Sequence, residues 1–170
     1  MSRKIALLVA PLALLGLLAI PARAGGEKDF KARLNGYEEV PAVSTTGGGE
    51  FRAKLDKTGT MLEYELSYAD LSAVPTQAHI HFGQEGVNGG VSVWLCSNLA
   101  SPPTPPGVSA CPPAGTVTGT IDASDVVGPG AQGIAAGEIA EIIDAMRAGI
   151  AYANVHTPTF PGGEIRGQID

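Results

Sequence analysis

Strict alternation of apolar and polar residues marks the middle of the chain as β-structure. In Glu50-Phe51-Arg52-Ala53-Lys54-Leu55-Asp56, Phe51, Ala53 and Leu55 share one face and charged residues take the other. The turn Asp56-Lys57-Thr58-Gly59 follows, and Met61 to Tyr68 resumes the pattern with Leu62, Tyr64, Leu66 and Tyr68 on a common face. Two such segments around a tight turn predict a hairpin. Upstream, Phe30 to Val40 mixes apolar and polar positions and stops at Pro41, as a first strand would. Downstream, Gln77 to Gly83 and the β-branched run Val91 to Cys96 flank the glycine-bearing segment 83–90 and predict a second antiparallel pair. Gly115 to Ile121, Ile150 to His156 and Gly163 to Ile169 are also strand-like. Helical periodicity occurs in Glu138 to Ala148, where Ile139, Ile142, Ile143 and Met146 fall at i, i+3, i+4 and i+7 before Gly149 ends the run.

About seven or eight short strands with turn signals between them predict a mainly β fold, a Greek-key β-sandwich or flattened barrel with one short helix toward the C-terminal part. Parallel α/β order is disfavoured, and no internal repeat is evident.

The first residues follow a different pattern. Basic Arg3 and Lys4 precede an apolar run from Ile5 to Ile20, and Ala22-Arg23-Ala24 supplies small residues for cleavage. This is the layout of an export signal, so residues 1–24 are expected to be removed, 25–29 to form a short flexible start and 30–170 to form one domain. The run is short for a membrane span and holds Pro11 and Gly16, so no span is expected once the signal is gone. The location implied is periplasmic or extracellular. Loss of the signal takes three basic residues and no acidic one, moving the formal net charge from −6 to −9. That balance repels phosphate backbones, and no basic stripe interleaved with aromatics is present, so nucleic acid is not an expected partner.

Cys96 and Cys111 are the only cysteines. An even pair in an exported protein predicts a disulfide, here closing the proline-rich loop 97–110, with a stabilisation of roughly 3 kcal/mol on the chain-entropy view. A metal role for the thiols is the alternative, but neither a CxxC spacing nor a third thiol accompanies it.

The three histidines carry the most informative chemistry. His79 and His81 are two apart in a predicted strand, opposite Ala78, Ile80 and Phe82, and His156 lies opposite Ala151, Ala153 and Val155 in another. Parity therefore puts all three imidazoles on a face turned away from the predicted core, on the outside of the barrel, where neighbouring strands would bring them together. Two imidazoles at i and i+2 with a third from an adjacent strand can hold Cu(II) or Zn(II), and Glu164 and Arg166 on the last strand are placed to support such a site. The alternative is that these histidines are structural, hydrogen-bonding carbonyls and carboxylates to order the loops 83–90 and 157–163.

Four segments taken in order, Ala32-Arg33-Leu34-Asn35-Gly36-Tyr37-Glu38-Glu39-Val40-Pro41, Ala78-His79-Ile80-His81-Phe82-Gly83, Ala151-Tyr152-Ala153-Asn154-Val155-His156-Thr157 and Pro161-Gly162-Gly163-Glu164-Ile165-Arg166-Gly167-Gln168-Ile169, resemble the CHRD domain. That domain is named for chordin, a secreted inhibitor of bone morphogenetic proteins, and also occurs alone in exported bacterial proteins. The resemblance implies an immunoglobulin-like β-barrel, and its HxH segment is similar to that of copper/zinc superoxide dismutases. Carried over, the parallel makes His79 and His81 candidate copper ligands and His156 a candidate third. Too few histidines remain for a bridging imidazole and a separate zinc site, so a two-metal dismutase is not expected.

Two functions of different kinds follow. The first, which the family resemblance favours, is a non-catalytic module that binds another protein or a cell-surface polymer. The second is a periplasmic copper- or zinc-binding protein using His79, His81 and His156. An enzyme is not the favoured reading: no nucleophile elbow or recognisable carboxylate pair is present, and a dismutase-like redox activity stands only as an alternative.

Overall fold

The computed structural model describes residues 29–170; the export signal expected over 1–24 and nearly all of the short start at 25–29 lie outside the described residues. Eight strands form one antiparallel sheet: β1 (Asp29–Asn35), β2 (Gly48–Leu55), β3 (Leu62–Ala69), β4 (Gln77–Phe82), β5 (Gly90–Ser97), β6 (Gly115–Ile121), β7 (Ala151–His156) and β8 (Ile165–Gln168). Their order across the sheet is β5-β4-β7-β8-β1-β2-β3-β6. The sheet curls into a nearly closed barrel. Its two end strands are drawn together by the bridge between Val93 and Val126, by the Tyr64 hydroxyl donating to the Leu95 carbonyl at 2.8 Å, and by the Cys96–Cys111 disulfide. Among the described residues no helix is long and apolar enough to cross a membrane.

Alternation explains the interior. Phe30, Ala32 and Leu34 of β1 face Phe51, Ala53 and Leu55 of β2, and Leu62, Leu66 and Tyr68 of β3 continue the same buried face. Val117 and Ile121 of β6 extend it beyond β3, and Ala78, Ile80, Ala151, Ala153, Val155 and Ile165 fill the far side. Helix α1 (Ile139–Arg147) packs beside β7 with Ile139, Ile142, Ile143 and Met146 buried, the stripe its 3.6-residue period prescribes.

Two boundaries differ from the sequence reading. β1 ends at Asn35, not Val40, because the Asn35 side chain accepts from the Tyr37 amide at 2.9 Å and caps a single 3-10 turn over Gly36–Glu38. β8 starts at Ile165, after a turn whose Gly163 has a φ of +131°. The outer faces are also unequal. β2 alternates exposed and buried from Glu50 to Leu55, whereas every residue of β7 is buried, so loops cover the outside of the barrel there.

The disulfide joins the end of β5 to the segment leading into β6, anchoring a loop that contributes little apolar burial of its own. Replacing both Cys96 and Cys111 with serine is expected to lower unfolding free energy by about 3 kcal/mol in a urea titration, with the far-ultraviolet β signature retained.

Candidate metal centre

β4 and β7 are hydrogen-bonded neighbours, with His79 opposite Asn154 and Gln77 opposite His156. Pairing therefore brings His79, His81 and His156 onto one patch of the outer sheet face, one ring nitrogen of each lying within 4.8 Å of the others. The pairing of β4 with β5 slips twice, between Ala78 and His79 and between Ile80 and His81, so the edge strand bends where the imidazoles project.

The parity expected from sequence holds, but the expected exposure does not. His79, His81 and His156 are 2%, 8% and 6% exposed, inside a second layer built on the outer face. Trp94 packs edge-on against His79 at 4.3 Å between ring centres, and Tyr152 stacks parallel on His81 at 4.8 Å. Loops supply the roof. The Asn88 side chain donates to the Val40 carbonyl at 3.1 Å, and Gly163 presses so close to the Glu39 carboxylate and the Asn154 amide that a β-carbon there would overlap both.

Backbone carbonyls fix the ring orientations. His81 Nδ1 lies 3.0 Å from the Gly89 carbonyl and His156 Nδ1 lies 3.1 Å from the Pro161 carbonyl. A carbonyl only accepts, so both rings carry hydrogen on Nδ1 and a lone pair on Nε2. His79 Nδ1 stands 3.3 Å from His156 Nε2 and donates to it. His79 Nε2 and His81 Nε2 are then buried acceptors with no hydrogen-bond partner. Buried acceptors left this way are costly, and a positive ligand would relieve that cost.

Burial drives all three rings toward the neutral form. His81 is pushed down to about 4, mainly by desolvation, with the Gly89 carbonyl opposing and His156 and Arg166 adding to the fall. Desolvation also holds His79 far below its ordinary value, reinforced by its two imidazole neighbours, and lowers His156 against the pull of the Pro161 carbonyl. At neutral pH the lone pairs are therefore free of protons. A metal with bonds of about 2.0–2.1 Å draws its nitrogen donors to roughly 3.3–3.5 Å from one another. The 3.3 Å between His79 Nδ1 and His156 Nε2 meets that spacing, and one ring nitrogen of each histidine lies within 4.8 Å of the others, so the donor set fits a copper or zinc ion once the His79 hydrogen moves from Nδ1 to Nε2.

Glu164 and Arg166 serve differently from each other. The Glu164 carboxylate accepts from Thr45 Oγ1, the Ser72 amide and hydroxyl, and Thr157 Oγ1, all at 2.7–2.8 Å, so it ties loops together and bonds to no imidazole. Arg166 stacks its guanidinium 3.4 Å above the Tyr152 ring and donates to the Gln84 and Val87 carbonyls and the Asn88 side chain. It reaches His81 through Tyr152, whose hydroxyl accepts from the amide of Gly89, the residue that orients His81.

A family model of the CHRD domain matches residues 30–169. The chain belongs to the CHRD-domain family. No curated protein and no solved structure matches it. The match spans the whole CHRD barrel described above, and all three histidines lie within it.

Sequence reasoning missed Trp94, Tyr152, Gly89 and Glu39. Tyr152 had a signal, since it shares parity with His156, and Trp94 is the one tryptophan in a predicted strand. The return of Glu39 over Asn154, to which it is bonded at 2.6 Å, had none, being a product of the turn after β1. Burial raises Glu39 to about 7 against the pull of Asn154 and Arg166.

Proton counting gives the stability of the metal-free CHRD domain a direction. Below the ordinary histidine value of 6.5 the unfolded rings take up protons while the buried ones stay neutral, so the contribution of His81, complete above 6.5, is lost as pH falls through about 4. Glu39 acts oppositely: its contribution is complete below 4.5 and is lost as pH rises through about 7. Urea titrations between pH 7.5 and 4 are expected to show stability falling with pH, more steeply in Glu39→Gln than in the unaltered protein. Glu164→Ala, which strips an acceptor from three loops, is expected to cost about 3 kcal/mol at pH 7 in the same assay.

Proposed function

We propose that this is an exported CHRD-domain protein that binds one copper or zinc ion through His79, His81 and His156. The observation that carries the reading is the convergence of three buried imidazoles, one ring nitrogen of each within 4.8 Å of the others and those of His79 and His156 already at ligand spacing. A purely structural histidine cluster would engage all its ring nitrogens with protein donors and acceptors; here His81 and His156 turn Nδ1 to a carbonyl, and Nε2 of His81 and of His79 is left without a partner. Carbonyl-bound Nδ1 atoms are also the usual support for metal-bound imidazoles, because they fix the tautomer and enrich the opposite nitrogen. Bound there, the ion would be held by three neutral donors and screened from bulk water by the loops 83–90 and 157–163.

The family assignment and the Cys96–Cys111 disulfide support an exported protein, since such bridges persist in oxidising compartments. They fit the signal-like pattern of residues 1–24. A second reading, an interaction module without chemistry, is favoured by Tyr37, which is 77% exposed on the 3-10 turn after β1. Exposed aromatic residues of this kind recur at protein contacts.

One titration separates the two. Purified, tag-free, metal-stripped protein is expected to take up one equivalent of ion with nitrogen-rich coordination by X-ray absorption, and His81→Ala is expected to lose it while remaining folded. Absence of stoichiometric uptake with copper in either oxidation state and with zinc would leave the interaction module standing.

A further inference from the structure

By ligand type alone, imidazoles suit Cu(II) and Zn(II) as well as monovalent copper. Charge and coordination number discriminate further. The candidate ligands are three neutral rings, 2%, 8% and 6% exposed, with no carboxylate or thiolate among them. The buried carboxylates of the domain are Glu39 and Glu164; the first is bonded to Asn154 and the second to loop hydroxyls and an amide. A divalent ion in this cage would keep its full double charge in a medium of low polarity, and the cost of burying charge climbs steeply with its size. Zinc in addition asks for a fourth ligand. Monovalent copper is satisfied by two or three nitrogen donors and brings half the charge.

Arg166 sharpens the distinction. It is 2% exposed, and the ion pairs among the described residues are Arg52–Glu50 and Arg147–Asp144, so its charge is met by carbonyl and amide oxygens and by the Tyr152 ring. β4 and β8 flank β7, which sets His81 and Arg166 on opposite faces of Tyr152. The stacked spacings of 4.8 Å and 3.4 Å put the guanidinium roughly 8 Å from the His81 ring. Arg166 is also the fixed charge felt by His81; it acts on the Glu39 carboxylate too, with which it makes no ion pair.

We propose that the three-histidine site selects monovalent copper over divalent ions and that Arg166, through Tyr152, sets the margin. This rests on the metal-site reading above and adds the identity and oxidation state of the ion. Arg166 is a positioning and charge-setting residue, since it touches the ligand His81 only through Tyr152.

The test compares affinities of metal-stripped protein for Cu(I), measured without oxygen against a competing chelator, for Cu(II) and for Zn(II). Cu(I) is expected to bind at least about a hundredfold more tightly than either divalent ion, given one fewer charge near a buried cation. Arg166→Gln is expected to narrow the Cu(I)-to-Cu(II) ratio about tenfold, read equally as a drop of about 59 mV in reduction potential. Arg166→Lys keeps the charge and is expected to keep the ratio. If Arg166 served only to hold the loop, both variants would weaken all three ions alike, and that result overturns its assigned role. Tighter or equal binding of Cu(II) or Zn(II) by the unaltered protein overturns the selectivity while leaving the metal site intact; failure to bind any of the three overturns the metal site itself. The unaltered protein's ratio decides selectivity even if a variant does not fold.

Discussion

Burial of three imidazoles on the outer face of β4 and β7 is the constraint around which this barrel is arranged. A ring buried among aliphatic and aromatic neighbours must be neutral, and a neutral ring must place its single N–H. Here the Gly89 and Pro161 carbonyls receive two of those hydrogens and the third passes between His79 and His156. Each carbonyl sits in a loop that returns over the sheet, so ring orientation and roof position depend on each other. The same roof hides Arg166, Glu39 and Glu164, groups that are rarely found this deep unless something in the structure compels it.

The second layer is held by a chain of polar contacts of uneven strength. Glu164 gathers Thr45, Ser72 and Thr157 from separate loops onto one carboxylate, and Arg166 gathers three oxygens of the loop 83–90. Arg166 stands on β8 and Glu164 just before it, two residues apart, and so both project from the face that carries the histidines on β4 and β7. The short β8 is therefore a clamp for the roof on one face and a core strand on the other, through Ile165. The barrel interior supplies most of the apolar burial; the roof supplies the arrangement of donors and acceptors.

Much of this was legible in the chain. Alternation in β2 and β3 fixed both the hairpin and its inward residues, the helical stripe of Ile139, Ile142, Ile143 and Met146 was read correctly, and parity gathered the histidines on one face. Period-two reading stops at the faces of a sheet, however, and carries no information on whether loops come back over it. That is why rings expected on the outside of the barrel proved buried, and why Glu164, matched to the histidines by parity, turned out to bind loop hydroxyls. The cap at Asn35 is a local signal that a strand reading to Val40 overlooked, and it is this turn that brings Glu39 back over Asn154.

The central claim is that the metal-free protein holds its imidazoles neutral, with Nδ1 of His81 and His156 bonded to carbonyls and their lone pairs on Nε2. Nitrogen-15 correlation spectra of the histidine side chains report tautomer and protonation directly. The account requires His81 and His156 to carry hydrogen on Nδ1 and to titrate below the ordinary histidine value. Rings that carry it on Nε2, or that titrate near the ordinary value of 6.5, would contradict it.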